Sequence, residues 1–353
     1  VSAHYKYPWV LFDRHLYEKG ANVLHLVRYI LRERDWWRAI QHYVEKHKNG
    51  SVETADLLTS IQEATGKNLR PIFDQWVFGT GYPSFKTQFS WDAKKQEAVV
   101  WLVQRGGEGD SGLFKVPLEF YFEGRGWNKT FTENVSKREH EFRFKLPGEP
   151  LQGDLDPHRW ILKKADILKP QAWWERQLTH GLNSVSRAEA ARQVAHWGSR
   201  RSVKILSVAF SKEKFWGTRC EIVSALAAVR SEDALQALKP LLKTRHPKVR
   251  RAVVEALGDS GRAETAAWLT PLLRRDASYH VEAEAARSLG KLKDPGLIAA
   301  LSKNLSKRSW LDVVRSGALS GLAGTRDPRA QTFLRRYLKA GPEFTVRAAA
   351  IRG

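Results

Sequence analysis

Residues 247–259 read PKVRRAVVEALGD, and this stretch decides the fold of the second half of the chain. Its Val249-Arg250-Arg251 is one of six similar triplets, whose second residues lie 32, 31, 32, 33 and 32 positions apart. Those second residues are Arg187, Arg219, Arg250, Glu282, Arg315 and Arg347. Most triplets open an Ala- and Leu-rich helix, which a turn containing Gly or Asp joins to a second helix. A fixed period with two helices per unit predicts an α-solenoid, because each unit buries its apolar face only against its neighbours.

The recurring Arg of these triplets is expected to have a structural role. At the start of each first helix its guanidinium can hydrogen-bond or pair across adjacent units, for instance with the Asp of the turn between the two helices. Such turns contain Asp259, Asp294 and Asp327. The units resemble short HEAT repeats, and the repeating region runs from residue 169 to residue 353.

A different period marks residues 83–168. Apolar and polar residues alternate there in several runs, such as Phe85 to Trp91 and Phe114 to Phe122. Alternation of this kind is typical of strands with one buried and one solvated face, so these residues are expected to form a small β-sandwich.

Residues 1–82 are predicted to be helical. A first helix carries apolar residues, Leu24 among them, at helical spacing up to Leu31, and Asp35 is the expected N-cap of a second helix. Trp36, Trp37, Ile40, Tyr43 and Val44 of that second helix are expected to face inward, and Trp76 is likewise expected in the core. A third helix should run from about Thr54 to Thr65 and end at Gly66, and a short helix should follow from Ile72 to Phe78. The predicted fold class is therefore multidomain α+β, with domains at 1–82, 83–168 and 169–353.

The net charge of +21 is concentrated in the repeats. Residues 169–353 contain 34 Lys and Arg against 16 Asp and Glu, which gives +18, whereas residues 1–82 and 83–168 carry +2 and +1. A repeat-stacking role is favoured over binding of an acidic partner or of nucleic acid, and nucleic acid is disfavoured because no aromatic residues interleave within the repeats. No apolar stretch is long enough for a membrane span, and a soluble, cytoplasmic protein is expected rather than a periplasmic or secreted one.

Residues 12–28 read FDRHLYEKGANVLHLVR. This stretch closely resembles the Tyr-x-Lys-Gly-Ala step, followed by Val-Leu-His-Met-Leu-Arg, of M1 family zinc aminopeptidases, with Leu26 in place of the usual Met. The resemblance continues through residues 52–57, 64–69, 73–83 and 156–163. It implies the helical end of a thermolysin-like catalytic domain, then a β-sandwich, then a helical solenoid of the kind that ends four-domain members.

The resemblance also implies the chemistry. In such enzymes a His-Glu-x-x-His motif and a later Glu hold zinc, and a tyrosine donates its phenol O–H to the developing oxyanion. Tyr17 matches that tyrosine, Gly20 would let the helix start pack close to the site, and Lys19 is expected to be structural. The implied function is removal of N-terminal residues from peptides, with zinc as cofactor and peptides as substrates.

One part of the family pattern is missing from residues 1–353. No His-Glu-x-x-His occurs, His140-Glu141 continues as Phe142-Arg143-Phe144 in a strand pattern, and the Gly-x-Met-Glu-Asn loop is absent. In the family both motifs precede the tyrosine by more than the 16 residues present here, so we expect the zinc ligands to lie outside this chain and this chain alone to be inactive. His15 and Glu18, one turn apart, are weaker metal candidates. The alternative function is a non-catalytic M1-like scaffold, whose basic solenoid binds an acidic partner or nucleic acid.

Overall fold

The computed structural model describes residues 6–105, 112–338 and 343–353. The chain divides into two compact units, Val1–Trp173 and Trp174–Gly353. The first combines helices with two small sheets, and the second is helical throughout its described residues. The predicted α+β class ending in a solenoid is therefore confirmed, whereas the three domain boundaries stay a prediction beside this division into two units.

The helical part of the first unit contains α1 (Gly20–His47), α2 (Thr54–Thr65) and α3 (Arg70–Phe73), and a π-helical turn, Asp74–Phe78, follows α3. Gly66 ends α2 in the left-handed conformation (φ 71°), as predicted. A core joins the three helices, with these members: Val27, Leu31, Trp36, Ala39, Ile61, Leu69 and Phe73.

Two details of α1 differ from the prediction. The break lies at Arg32 (φ 68°, ψ 163°), and Asp35 is not an N-cap but lies inside the helix, where its carboxylate is 3.2 Å from Lys67 Nζ. Trp37 and Val44 are more than half exposed, and Leu24 is exposed as well, so their predicted inward orientation was wrong. The face that α2 covers is the one with Trp36 and Ala39, and Trp37 instead donates from Nε1 to Glu33 (3.2 Å).

Seven strands among the described residues form the β-sandwich of the first unit. They are β1 (Ser84–Asp92), β2 (Glu97–Arg105), β3 (Val116–Gly124), β4 (Trp127–Val135), β5 (Glu139–Lys145), β6 (Gln152–Leu155) and β7 (Lys164–Leu168). One sheet has the order β5-β2-β1-β7 and the other β4-β3-β6, and β1 pairs with β2 antiparallel and with β7 parallel. The ring centroid of Phe89 in the first sheet lies 6.0 Å from that of Phe122 in the second, and the Phe122 centroid lies 5.4 Å from that of Phe144 in the first. The alternating runs therefore do form the interior of a two-layer sandwich.

The second unit is an array of helix pairs that begins within α4 (Gln171–His180). The first helices of the pairs are α5 (Ser184–His196), α7 (Trp216–Ala228), α9 (Pro247–Asp259), α11 (Tyr279–Lys291), α13 (Val313–Gly324) and α15 (Phe344–Arg352). The second helices are α6 (Arg200–Lys212), α8 (Glu232–Leu238), α10 (Thr265–Arg274), α12 (Ile298–Lys303) and α14 (Ala330–Arg335). Each first helix packs against the next, as a solenoid requires.

The recurring Arg has the predicted structural role, but it pairs within its own unit rather than across adjacent units, and with a different acid. Arg250 pairs with Asp276 (2.6 Å), which lies in the loop after the second helix of its unit, and Arg187 pairs with Glu213 (2.7 Å) in the equivalent loop. The turn aspartates were the wrong partner because they lie at the opposite end of the first helix. Asp259, for example, pairs with Lys291 of the next unit (2.6 Å).

Candidate functional site

Tyr17 lies on a π-helical turn, His15–Lys19, that leads directly into α1. Its side chain is 60% exposed, and its ring centroid is 6.3 Å from that of Phe12. Within the described ranges its hydroxyl has no hydrogen-bond partner, so the O–H is available to an acceptor from outside. Single π-helical turns of this kind are often found at functional sites.

One carboxylate organises the chain just before Tyr17. Asp13 Oδ1 accepts from His15 N (2.8 Å) and Leu16 N (3.3 Å), and its Oδ2 lies 2.9 Å from His15 Nδ1. These hydrogen bonds, the one from the His15 side chain first, hold the pKa of Asp13 below its ordinary value. The carboxylate therefore fixes the turn on which Tyr17 stands.

His15 and Glu18 do not come together as metal ligands. His15 is bound to Asp13, while Glu18 lies 3.9 Å from Arg14. Nowhere in ranges 6–105, 112–338 and 343–353 do three or more His, Cys, Asp or Glu side chains form a group that could hold a metal ion.

Lys19 ties the Tyr17 turn to the end of the helical region. Its Nζ is 3.5 Å from the carbonyl oxygen of Gly79, and burial lowers its pKa. This contact agrees with a structural role for Lys19. The prediction for Gly20 is not supported inside this chain, because a Cβ there would meet no described atom within 4 Å.

A stack of rings holds the first half of α1 against the sandwich. Trp160 stacks on His25 (4.4 Å between ring centroids) and on Tyr29 (5.0 Å), and it donates from Nε1 to Glu119 (3.2 Å). The Tyr29 hydroxyl is 3.3 Å from Thr132 Oγ1. No role for Trp160 or His25 could be predicted from the sequence, because only the folded chain brings residues so far apart in sequence into one stack.

The surface around Tyr17 is apolar and open. Trp9 is 80% exposed, and each of the following large side chains is more than half exposed: Tyr7, Val10, Phe12, Leu16 and Tyr17. Contiguous exposed apolar residues of this kind mark a surface that another polypeptide covers or a ligand contacts.

The His140-Glu141 pair does not form a metal-binding motif. Both residues lie in β5, and His140 Nε2 accepts from Ser136 N (3.1 Å) and Lys137 N (3.0 Å). Burial lowers the pKa of His140, and Glu141 lies 2.7 Å from Arg143 Nε. The expectation that this pair lies in a strand is confirmed.

No helix among the described residues is long and apolar enough to cross a membrane. This agrees with the absence of a long apolar stretch in the sequence.

Two family models match the chain. The peptidase family M1 domain matches residues 4–76, and HEAT repeats match residues 173–258, 239–323 and 266–353. The first match contains Tyr17, and the second covers the solenoid.

Known proteins agree with these matches. The "Probable aminopeptidase 1" of Sulfurisphaera tokodaii is 29% identical over 130 residues, and the "Leucyl aminopeptidase" of Saccharolobus solfataricus is 27% identical over 128 residues. Each alignment takes in 35% of this chain and 16% of the relative. The crystal structure of Legionella pneumophila aminopeptidase A in complex with aspartic acid covers 98% of this chain at a TM-score of 0.72 and 14% identity. This chain spans 48% of that one. Residues 173–353 thus belong to the HEAT repeats, residues 4–76 match the M1 peptidase domain, and the chain as a whole resembles the C-terminal portion of an M1 aminopeptidase.

Proposed function

We propose that this chain is the C-terminal portion of a zinc metallo-aminopeptidase, which removes N-terminal residues from peptides, and that Tyr17 stabilises the oxyanion. The observation that carries the proposal is an exposed, unbonded phenol at the start of α1, inside the residues that match the M1 family.

The residues that the structure describes do not fit a zinc ion. The described part of the chain has no cluster of potential ligands, and the sequence has no His-Glu-x-x-His. The proposal therefore assigns zinc binding to residues outside this chain, and no step of the reaction is derived through the metal.

Tyr17 has what an oxyanion donor needs. When a peptide carbonyl becomes tetrahedral, negative charge collects on its oxygen, and a fixed O–H donor stabilises that charge without having to reorganise. The Asp13 turn on one side, the Lys19 contact with Gly79 on the other, and the Trp160 stack on α1 all restrict movement of the Tyr17 backbone. The exposed apolar side chains beside Tyr17 provide a surface for the zinc-binding part.

The test uses the complete protein that contains this chain, assayed on aminoacyl-p-nitroanilides. Tyr17→Phe should lower kcat roughly 100- to 1,000-fold with little change in KM, because the lost donor acts only in the transition state. Val10→Ala, in the same apolar surface, is the matched control and should keep near-normal kcat. Residues 1–353 alone should hydrolyse nothing.

Two outcomes would overturn the proposal at different levels. Near-normal turnover by Tyr17→Phe would remove Tyr17 from the mechanism but leave the peptidase. A complete protein that neither retains zinc nor cleaves any aminoacyl substrate would instead establish the non-catalytic scaffold.

A further inference from the structure

One edge of the solenoid carries the loops that join successive units, as far as the structure describes them. Thr218 at the start of α7 contacts the Ser184 carbonyl at the start of α5 (3.5 Å), while Lys291 at the end of α11 reaches Asp259 at the end of α9. The first helices therefore run in the same direction, and their starts lie together. The inter-unit edge is defined here as residues 212–216, 243–248, 274–279 and 306–312 together with Phe344.

Acidic side chains at the inter-unit edge form ion pairs with basic side chains of the repeats. Glu213, Asp276 and Asp312 of this edge pair respectively with Arg187, Arg250 and Arg315, and Glu282, in the first turn of α11 next to the edge, pairs with Lys307. All four carboxylates are at least four-fifths buried, so they offer little negative charge to solvent. Glu343, the N-cap of α15, is an exposed exception next to the edge.

Basic side chains at the same edge are exposed and have no such partners. They include Lys214, Arg245, Lys248, Arg274, Arg275 and Arg308. None of these forms an ion pair with another residue in the described part of the chain. The inter-unit edge thus presents uncompensated positive charge.

The opposite edge has a different charge pattern. There, ion pairs bridge successive units: Arg200 with Asp233 (2.8 Å), Arg262 with Glu232, and Lys291 with Asp259 (2.6 Å). The two edges thus differ in degree: acidic side chains pair with part of the positive charge of the opposite edge, where Arg230, Lys293 and Arg326 are nevertheless exposed and form no ion pair with a described residue.

Large apolar side chains also protrude from the inter-unit edge. Trp310 and Phe344 are 75% and 72% exposed, and four further residues share this exposure to a lesser degree: Phe215, Trp216, Tyr279 and Leu311. The expectation that no aromatic residues interleave within the repeats was therefore wrong, because these residues stand in the loops and first turns next to the repeated triplets. The fold places them in one row among the exposed cations.

We propose that the inter-unit edge binds an acidic polypeptide segment in which Asp or Glu residues are interspersed with apolar ones. Charge complementarity requires an anionic partner, and the protruding aromatic side chains supply anchors of the kind that dominate protein interfaces. A single-stranded nucleic acid fits less well, because it stacks its bases on open ring faces. The Trp216 ring already stacks on His246 (5.5 Å, 2° between planes) and receives Lys248 Nζ at 4.1 Å, and Leu311 offers no ring, so the open ring faces are limited to Tyr279, Trp310 and Phe344.

The experiment measures binding of residues 1–353 to a fluorescein-labelled peptide in which Glu alternates with Leu and Phe. Lys214→Glu, Arg245→Glu and Arg308→Glu together should weaken binding about tenfold or more, because a rim of like charge opposes the peptide. The matched control is Arg230→Glu, Lys293→Glu and Arg326→Glu, which removes the same charge from exposed residues at the opposite edge. That triple should weaken binding less than about threefold, since salt screens charges at this distance.

A second pair of measurements separates the partner classes. Trp310→Ala with Phe344→Ala should weaken peptide binding about fivefold or more at any salt concentration, because it removes apolar contact and no charge. Equal losses in the two charge-reversal triples would show that only total charge matters and would overturn the proposal. So would tighter binding of oligo(dT) than of the peptide through the same aromatic residues. Because no step of this assay is catalytic, the proposal stands or falls separately from the peptidase function.

Discussion

At the scale of single residues, the Tyr17 turn depends on the charge of one side chain. Asp13 accepts three hydrogen bonds, two from backbone N–H groups and one from the His15 ring. Those bonds favour the ionised carboxylate, which is why its pKa lies below the ordinary value. The turn should therefore be most ordered where Asp13 is ionised.

The sign of the pH effect follows from this shift. The folded-state pKa of Asp13 is lower than its unfolded-state pKa. The stability that the ionised carboxylate contributes is therefore fully present at pH values above the ordinary pKa of Asp, and it is lost as the pH falls through the folded-state pKa. His15→Ala should raise the pKa of Asp13 toward its ordinary value, since the ring donor is lost. A carboxyl NMR titration measures this, with Tyr17→Phe as the control that keeps all three donors. An unchanged Asp13 titration in His15→Ala would contradict the assignment.

At the scale of elements, the turns of the solenoid repeat one backbone feature. The second residue after each of α5, α7, α9, α11 and α13 has a positive φ. Gly198 and Gly261 fill this position in two units, but Arg230, Lys293 and Arg326 fill it in three, with φ between 53° and 56°. A side chain in the left-handed region costs roughly 1–2 kcal/mol relative to glycine. Replacing the non-glycine residue of such a turn by glycine should therefore raise the free energy of unfolding.

Lys293→Gly should raise the free energy of unfolding by about 0.5–1 kcal/mol, because relief of the left-handed strain exceeds the added entropy of the unfolded chain. Urea denaturation followed by circular dichroism measures the change. Arg251→Gly is the control, since Arg251 is exposed in the middle of α9 and glycine there should lower stability by about 1 kcal/mol. Destabilisation by both substitutions would refute the argument from φ.

Features that depend on residues close together in the sequence could be predicted, and features that depend on contacts between distant residues could not. Gly66 ends α2 through its own conformational freedom, and the alternation of Phe85 to Trp91 follows from one strand's pleat. The break at Arg32 could not be predicted, because no Gly or Pro lies there. The Arg32 guanidinium carbon lies 4.6 Å from the centroid of the Tyr29 ring. Tyr17 itself was located by resemblance, whereas the Asp13 turn and the Trp160 stack needed the coordinates.

At the scale of the whole second unit, the two edges carry ion pairs of different kinds. The pairs of Arg187 with Glu213 and Arg250 with Asp276 are largely buried, and Arg250 also donates to the carbonyls of Thr244 and Arg245. The pair of Lys291 with Asp259 is exposed. Buried, multiply bonded pairs depend little on salt, whereas exposed ones contribute little and are screened. The period alone showed that the units repeat, but the 26-residue step from Arg to its acid depends on loop lengths that the period does not reveal.

This contrast predicts unequal costs for similar substitutions. Arg250→Met should lower the free energy of unfolding by about 3–5 kcal/mol, because Asp276 is then left buried without its counter-charge. Arg250→Met with Asp276→Asn should recover part of that loss, since the second change removes the stranded charge. Lys291→Met, at the opposite edge, should cost less than about 1 kcal/mol and should cost still less at high salt. Urea unfolding at low and high salt compares all three variants, and a loss in Arg250→Met no larger than in Lys291→Met would contradict the contrast between buried and exposed pairs.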